Sequence, residues 1–451
     1  MIGRRRFTGG LAEGWEKTFA QSRRSPEYGA QEGRDRSSDE AAAEEMTMLA
    51  PRQQETGAHE AVPAETKVPP FDTKRLDALL DEQGIDVLLA TSKHNVQYLL
   101  GGYRFFFFDY MDAIGVSRYL PVLVYQKGKP ENTAYVGYRL ESYEKQLGRF
   151  WPRRVETTAG DSASAIRKAI EHIKGLGGPI AKVGVEAPFL PWDSAKSLQD
   201  GLGNCEIVDA LLPLERLRAR KTQGELAKLR EASERVVASM LAVFERTTPG
   251  MTKRDLVDRL RKEEVGRDLT FEYCLITAGT SLNRAPSDQR LEAGDIISLD
   301  SGGNYHGYIG DLCRMGILGE PDSELTELLG IVDEVQQRAR RPIRQGAAGG
   351  DIFSAAHELV DASPHRGYLE FVAHGMGLVS HEAPRLTSKG PVPYPAYDEA
   401  RPLEADMVIS IETTMAHPKR GFVKLEDTVV VTKDGCVGLG DVGRGWNRAG
   451  G

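Results

Sequence analysis
The pattern of apolar and polar positions changes character near residue 66. Before it Arg, Glu, Ser, Gln and Ala dominate, and branched aliphatic residues are too sparse to offset chain entropy by burial, so residues 1–66 are expected to form a disordered extension. Regular patterning begins near Phe71. DTKRLDALLDEQG sets Leu76, Leu79 and Leu80 on one helical face, and Val87–Ala90 follows as a buried strand. Apolar runs at 119–125, 133–138 and 182–187, separated by the helical SASAIRKAIEHIKGLG, predict a smaller α/β domain over 67–215.

A second domain is expected over 216–437. Thr222 and Glu225 form a capping box that opens a helix with Leu226, Leu229, Val236, Val237 and Leu241 on one broad face, running to Pro249-Gly250. Another helix begins at Thr252–Asp255. Strands are then read at 271–279 and 295–303, helices at 323–341 and 351–360, and strands around Phe371, Met407 and Phe422. Each half of this domain runs helix pair, then strands, which hints at pseudo-symmetry within an α/β (α+β) fold. Residues 438–451 read as a flexible tail.

Composition excludes several function classes. The net charge of −8, with Lys and Arg interspersed among acids, gives no basic stripe for nucleic acid. No window approaches the ~18 apolar residues that a membrane span needs. The four cysteines, Cys205, Cys274, Cys313 and Cys436, make no CxxC or CxxH pattern, which fits a reducing cytoplasm. Arg4–Arg6 lack a following apolar segment, so no secretory signal is read there. Met46 or Met48 is an alternative start.

The chemistry concentrates in the second domain. Asp300 closes the run DIISLD, and Asp311 follows beyond SGGNYHGYIG, whose glycines suit a hairpin that brings the two carboxylates face to face. His374 lies in FVAHGMGLVSHEAP with His381 seven residues on; Glu412 lies in MVISIETT and Glu426 in GFVKLEDTVV. The period of two puts Lys424 and Glu426 on one face of their strand, and Val423 and Leu425 on the other. Taken singly, an Asp at a strand end is usually a cap, a lone His a satisfied core or surface residue, and a Glu in a strand a partner for Lys. Taken together, carboxylates inside apolar strands each leave a costly buried charge unless paired or metal-bound. Hard oxygen ligands with one imidazole favour manganese, cobalt, zinc or iron, and two such ions side by side activate water, which implies a hydrolase.

These segments, D-S-G-G-N-Y-H-G-Y-I-G-D, H-G-M-G-L-V-S-H-E-A-P, I-S-I-E and K-L-E-D, resemble those of the pita-bread metallopeptidases of family M24, which include Xaa-Pro aminopeptidases, prolidases, methionine aminopeptidases and the metal-free creatinases. The resemblance spans about residues 70–435. It implies a creatinase-like N-terminal domain, a pseudo-symmetric pita-bread catalytic domain, a homodimer and a cofactor of two divalent ions, manganese first. It further implies that Asp300 chelates one ion, that Asp311 and Glu426 bridge both, and that His374 and Glu412 complete the other. Glu412 is then the general base, His381 touches the substrate carbonyl or its oxyanion, and Lys424 contacts substrate.

Two departures bear on substrate. Proline peptidases carry a His about seventeen residues before the first Asp, where this chain has Asn283 and Arg284; and they carry Arg where Lys424 stands. Dimethylsulfoniopropionate lyases of the same fold resemble this chain in that Lys, but they place a second acid where Gly302 lies here. The expected substrate is accordingly a short peptide or amide, with a non-peptide small molecule as the alternative and a non-catalytic binding protein as the third reading. The aromatic run Tyr103, Phe105, Phe106, Phe107, Phe108 and Tyr110 reads either as core packing or as a loop over a partner's cleft. His94, His172, His357 and His417 read as core or surface histidines.

Overall fold
The computed structural model describes residues 67–107, 120–389, 392 and 394–450. The expected disordered extension lies outside them, as do Phe108 and Tyr110. The first part of the fold is a sheet of six strands: β1 (Val87–Ala90), β2 (Val122–Gln126), β3 (Lys129–Tyr138), β4 (Arg154–Ala159), β5 (Lys182–Val185) and β6 (Glu206–Asp209), in the order β4-β3-β2-β1-β5-β6. Strand β1 is central, antiparallel to β2 and parallel to β5. That position explains its unbroken apolar run. Leu88 and Ala90 pack with Leu76 and Leu80 of α1 (Thr73–Asp81), and Val87 and Leu89 pack on the other face with Ile166, Ala169 and Ile173 of α4 (Ser162–Lys174). Between these helices lie α2 (Lys93–Leu99) and α3 (Ser142–Gln146), and after them α5 (Trp192–Gly201) and α6 (Leu211–Ala219). The anticipated boundary at 215/216 falls inside α6, whose Leu214 and Leu217 share a core with α1.

The second part opens on two capped helices, α7 (Gln223–Glu245) and α8 (Lys253–Val265), whose Thr222/Glu225 and Thr252/Asp255 boxes are both made. Strands β7 (Thr270–Ala278), β8 (Ile296–Tyr305) and β9 (Tyr308–Ile317) follow, then α9 (Ser323–Arg340), α10 (Gly350–Ala362) and strands β10 (Leu369–Gly375), β11 (Val408–His417) and β12 (Gly421–Val431). The strands form one sheet in the order β10-β11-β12-β9-β8-β7, with β13 (Cys436–Leu439) on β12 and β14 (Asn447–Arg448) along β9. Each helix pair covers the strands of its own half through its own core. This is the two-half arrangement expected of a pita-bread domain.

Three details differ from the sequence reading. The strand read at 295–303 runs on as β8 to Tyr305, and the expected hairpin turns at His306 and Gly307, both at positive φ (52° and 95°). Helix α7 stops at Glu245, short of Pro249. Residues 438–450 do not hang free. Trp446 Nε1 donates to Leu325 O at 3.1 Å, Arg444 pairs with Asp427 and Asp333, and Arg314 donates to Gly440 O and Val442 O.

Between the halves, β9 and β12 share one register pair, Cys313 with Glu426. The fully buried Arg314 stitches this seam: Nη1 donates to Cys313 O and Glu426 O, each at 2.8 Å, and Nη2 pairs with Asp427 at 3.0 Å. A fork of donors replaces the ladder bonds that diverging strands lose.

Glu264 of α8 is buried beneath β8. Ser301 Oγ donates to its Oε1 at 2.8 Å, while its Oε2 has no hydrogen-bond partner among the described residues. Burial pushes this carboxyl up to about 8. The stability associated with its protonated form is therefore complete below the ordinary carboxyl range and is lost as pH rises from there through about 8. Glu264→Gln, which cannot ionise, should flatten that dependence by about 3–4 kcal/mol between pH 5 and pH 8. Denaturant midpoints at the two pH values check this, and an unchanged pH slope in the variant contradicts it.

Candidate metal centre
Register places the acidic residues. Asp300 pairs with Cys313, Cys313 with Glu426, and Glu426 with Glu412, which makes one row across β8, β9, β12 and β11. Directly paired residues share a face, so these side chains emerge together. Asp311 stands two residues before Cys313, and His374 pairs with Ser410, two before Glu412, so both join the same face from the next row. All five are buried: Asp300, Asp311, His374 and Glu426 at 3% exposure or less, and Glu412 at 8%.

The ligand atoms converge in overlapping groups. Those of His374, Glu412 and Glu426 lie within 4.8 Å of one another, as do those of Asp300, Asp311 and Glu426, so Glu426 belongs to both groups. Asp311, His374 and His381 form a third. Among the described residues His374 Nε2 is buried without a hydrogen-bond partner, 3.7 Å from Glu412 Oε1 and 3.8 Å from Glu426 Oε1. Two donors each about 2.1 Å from one ion sit roughly 3–4 Å apart, so an orphaned imidazole nitrogen facing two carboxylates fits a divalent cation. The donor set fits a metal site of hard ligands.

Electrostatics points the same way. Burial, then repulsion from Glu426 and Asp300, pushes Asp311 far above the carboxylate range, while burial raises Asp300 to about 6 against the pull of Lys424. Burial would also raise Glu426, but Lys424 and His374 hold it below its ordinary value. Burial opposes the charge on His374, yet Glu426, Glu412 and Asp311 lift it to about 9. His381, stacked on His374 with centroids 3.8 Å apart, is held down to about 3 by burial and then by His374, and so stays neutral. A face that draws protons onto an Asp and a His calls for positive charge.

Two family models account for most of the chain: a creatinase/prolidase N-terminal domain over 73–220 and metallopeptidase family M24 over 227–433. The second domain is that of metallopeptidase family M24. The chain is 27% identical over 374 residues to the Xaa-Pro dipeptidase of Pyrococcus horikoshii, covering 80% of this chain and 94% of that one. Among solved structures it superposes on the Xaa-Pro dipeptidase of Bacillus anthracis with a TM-score of 0.68 at 24% identity, covering 83% and 98% of the two chains. The prolidase of Pyrococcus horikoshii gives 0.66 at 24% identity, over 82% and 97%. The last two likenesses speak to fold, and the fold is that of the two-domain proline peptidases.

Against that family background the departures acquire geometry. Lys424 is 2% exposed, and its Nζ lies 2.6 Å from Asp300 Oδ2, 2.6 Å from Glu412 Oε2 and 2.8 Å from Glu426 Oε2. Asn283 does not face the acids: its Oδ1 accepts from Ala285 N at 2.9 Å and shapes its own turn. Arg284, the next residue, reaches them instead and pairs with Asp300 Oδ2. Gly302 pairs with both Tyr273 and Asp311, and a Cβ there would meet the Tyr273 ring at 2.4 Å. The Tyr273 ring therefore occupies the space beside Gly302, and a second acid at 302 would require that ring to move.

Sequence reasoning missed Tyr273, Ser410, whose Oγ donates to Glu426 Oε1 at 2.8 Å, and a buried network behind His381. In that network Glu382 receives Arg218 Nη2 at 2.7 Å and Lys221 Nζ at 3.1 Å, and Arg218 also meets Asn95 of α2. The register offsets to Asp311 and Glu426 were the available signal for the first two; nothing local marks the third. Among the other histidines, His172 bonds Asn132 O at 2.8 Å, His94 packs against Phe189, His417 accepts from Arg420 N, and His357 is exposed. Phe105 is buried against Tyr138, and Phe106 is exposed.

Lys424→Met should destabilise chelator-treated protein by about 3 kcal/mol, because three buried carboxylates lose their shared cation. Added divalent ion should restore most of the loss. A melting midpoint in chelator equal to that of the parent contradicts this role.

Proposed function
We propose that this chain is a dinuclear metal-dependent peptidase of Xaa-Pro type, acting on a short peptide or amide. The observation that carries the reading is the sharing of Glu426 between two groups of converging ligand atoms. Asp300 would hold one ion, His374 and Glu412 the other, with Asp311 and Glu426 between them; manganese suits this set, as do cobalt, zinc and iron. Divalent ions bound there supply Lewis acidity, which brings proton release from water into the neutral range. Glu412, the least enclosed of the four carboxylates, takes the proton of the attacking water and returns it toward the leaving amine. Neutral His381 donates its ring N–H to the carbonyl oxygen as charge develops there. The names of the relatives, Xaa-Pro dipeptidase and prolidase, support the substrate class. A cytoplasmic homodimer completes the proposal, and among the described residues no helix is long and apolar enough to cross a membrane.

A second reading keeps the metal site but turns it on a non-peptide small molecule. It draws support from Asn283, which leaves no His for the leaving amine, and from Lys424 in place of Arg. The Tyr273 ring above Gly302 weighs against the lyase variant of that reading.

Asp311→Ala should lose both ions, seen by mass-spectrometric metal analysis, and retained stoichiometry contradicts its bridging role. Glu426→Gln should abolish turnover with the fold intact, because a neutral amide supplies no shared anion; near-parental rates on Xaa-Pro dipeptides sink the assignment. His381→Ala should keep its metal and lose a factor of about 10²–10⁴ in kcat, and an effect confined to KM contradicts its place at the carbonyl.

A further inference from the structure
Arg284 is the accessible cation of the site. Its side chain is 33% exposed, whereas that of Lys424 is 3% exposed and spends its charge on three carboxylates. The guanidinium lies over the Phe422 ring, 5.1 Å from its centroid. Its Nη2 donates to Asp300 Oδ2, while among the described residues neither Nε nor Nη1 donates to a protein acceptor.

The backbone that carries it is pinned on both sides. Lys253 Nζ donates to Asn283 O at 2.5 Å, Ile276 N to Arg284 O at 2.8 Å, and Ala285 N to the Asn283 side chain at 2.9 Å. A planar fork held on a fixed loop, with one edge on Asp300 and the rest partly exposed beside the buried acids, matches a carboxylate. An anionic substrate end arriving beside Asp300, Glu412 and Glu426 needs such a partner, since Lys424 has no donor to spare.

We propose that Arg284 is a specificity-determining residue that binds the free carboxylate of a short substrate, selecting dipeptide-length molecules over amidated or longer chains. The inference rests on the peptidase reading only for the leaving half that bears the carboxylate. Binding of L-proline and of prolinamide to manganese-loaded protein, measured by calorimetry, tests it without turnover. The parent should prefer proline by about tenfold or more, Arg284→Gln should bind both alike, and Arg284→Lys should recover part of the preference, all with parental metal content.

In kinetics, Arg284→Gln should raise KM for an Xaa-Pro dipeptide by about 10–100-fold and leave its C-terminal amide within about threefold. No preference for proline in the parent, including no binding of either probe, overturns the proposal. So does a preference retained in Arg284→Gln, or an equal loss on acid and amide. An Arg284-dependent preference with no Xaa-Pro dipeptide cleaved leaves the carboxylate site standing and removes the peptidase reading instead.

Discussion
Four carboxylates buried on one face of one sheet are the constraint to which the rest of the second domain answers. Two like charges 4 Å apart repel by about 4 kcal/mol at an effective dielectric of 20, and here Glu412 and Glu426 stand in direct register while Asp300 and Asp311 converge on the same face. The fold accepts this repulsion because the pleat leaves no alternative. A slip of one residue would turn Glu426 and Lys424 into the helices and Val423 and Leu425 into the cleft. The opposite face, packed with Leu299, Ile411, Val423 and Leu425 against two helix pairs, is what holds the register.

Compensation comes from three directions. Lys424 sits among the acids, Arg284 touches them from the rim, and Arg314 closes the seam between half-sheets from behind. The first part of the chain joins through a buried polar strut: Glu186 accepts from Thr91 N, Ser92 N and Asn95, Asn95 meets Arg218, and Arg218 and Lys221 hold Glu382. Glu382 follows His381 directly. The N-terminal domain thereby fixes the segment that stacks on His374, which gives a physical reason for its presence beside the candidate metal centre.

Much of this was legible in the sequence, for identifiable reasons. Capping boxes and amphipathic periods located α7 and α8, and the period of two placed Lys424 with Glu426, because those rules are local. The convergence of Asp300, Asp311, His374, Glu412 and Glu426 was foreseen through acids in apolar strands and a family resemblance. What escaped depends on contacts between distant segments. The hairpin between Asp300 and Asp311 was readable from its glycines and turns at His306 and Gly307, but nothing local showed that the missing Cβ of Gly302 makes room for Tyr273. Asn283 looked like the residue replacing a histidine, yet its side chain serves its own turn and Arg284 takes the position. The tail from 438 looked featureless, because its ordering rests on Asp427 and Asp333, paired with Arg444, and on the Leu325 carbonyl bonded by Trp446.

The central claim is that Glu426 joins two cation positions into one centre. Electron paramagnetic resonance of the protein with two equivalents of manganese tests it most directly. Ions that share a carboxylate about 3.5–4 Å apart are exchange-coupled, and the account predicts a coupled spectrum that collapses to isolated-ion lines in Glu426→Gln. Isolated six-line manganese signals from the parent protein at full loading would contradict it.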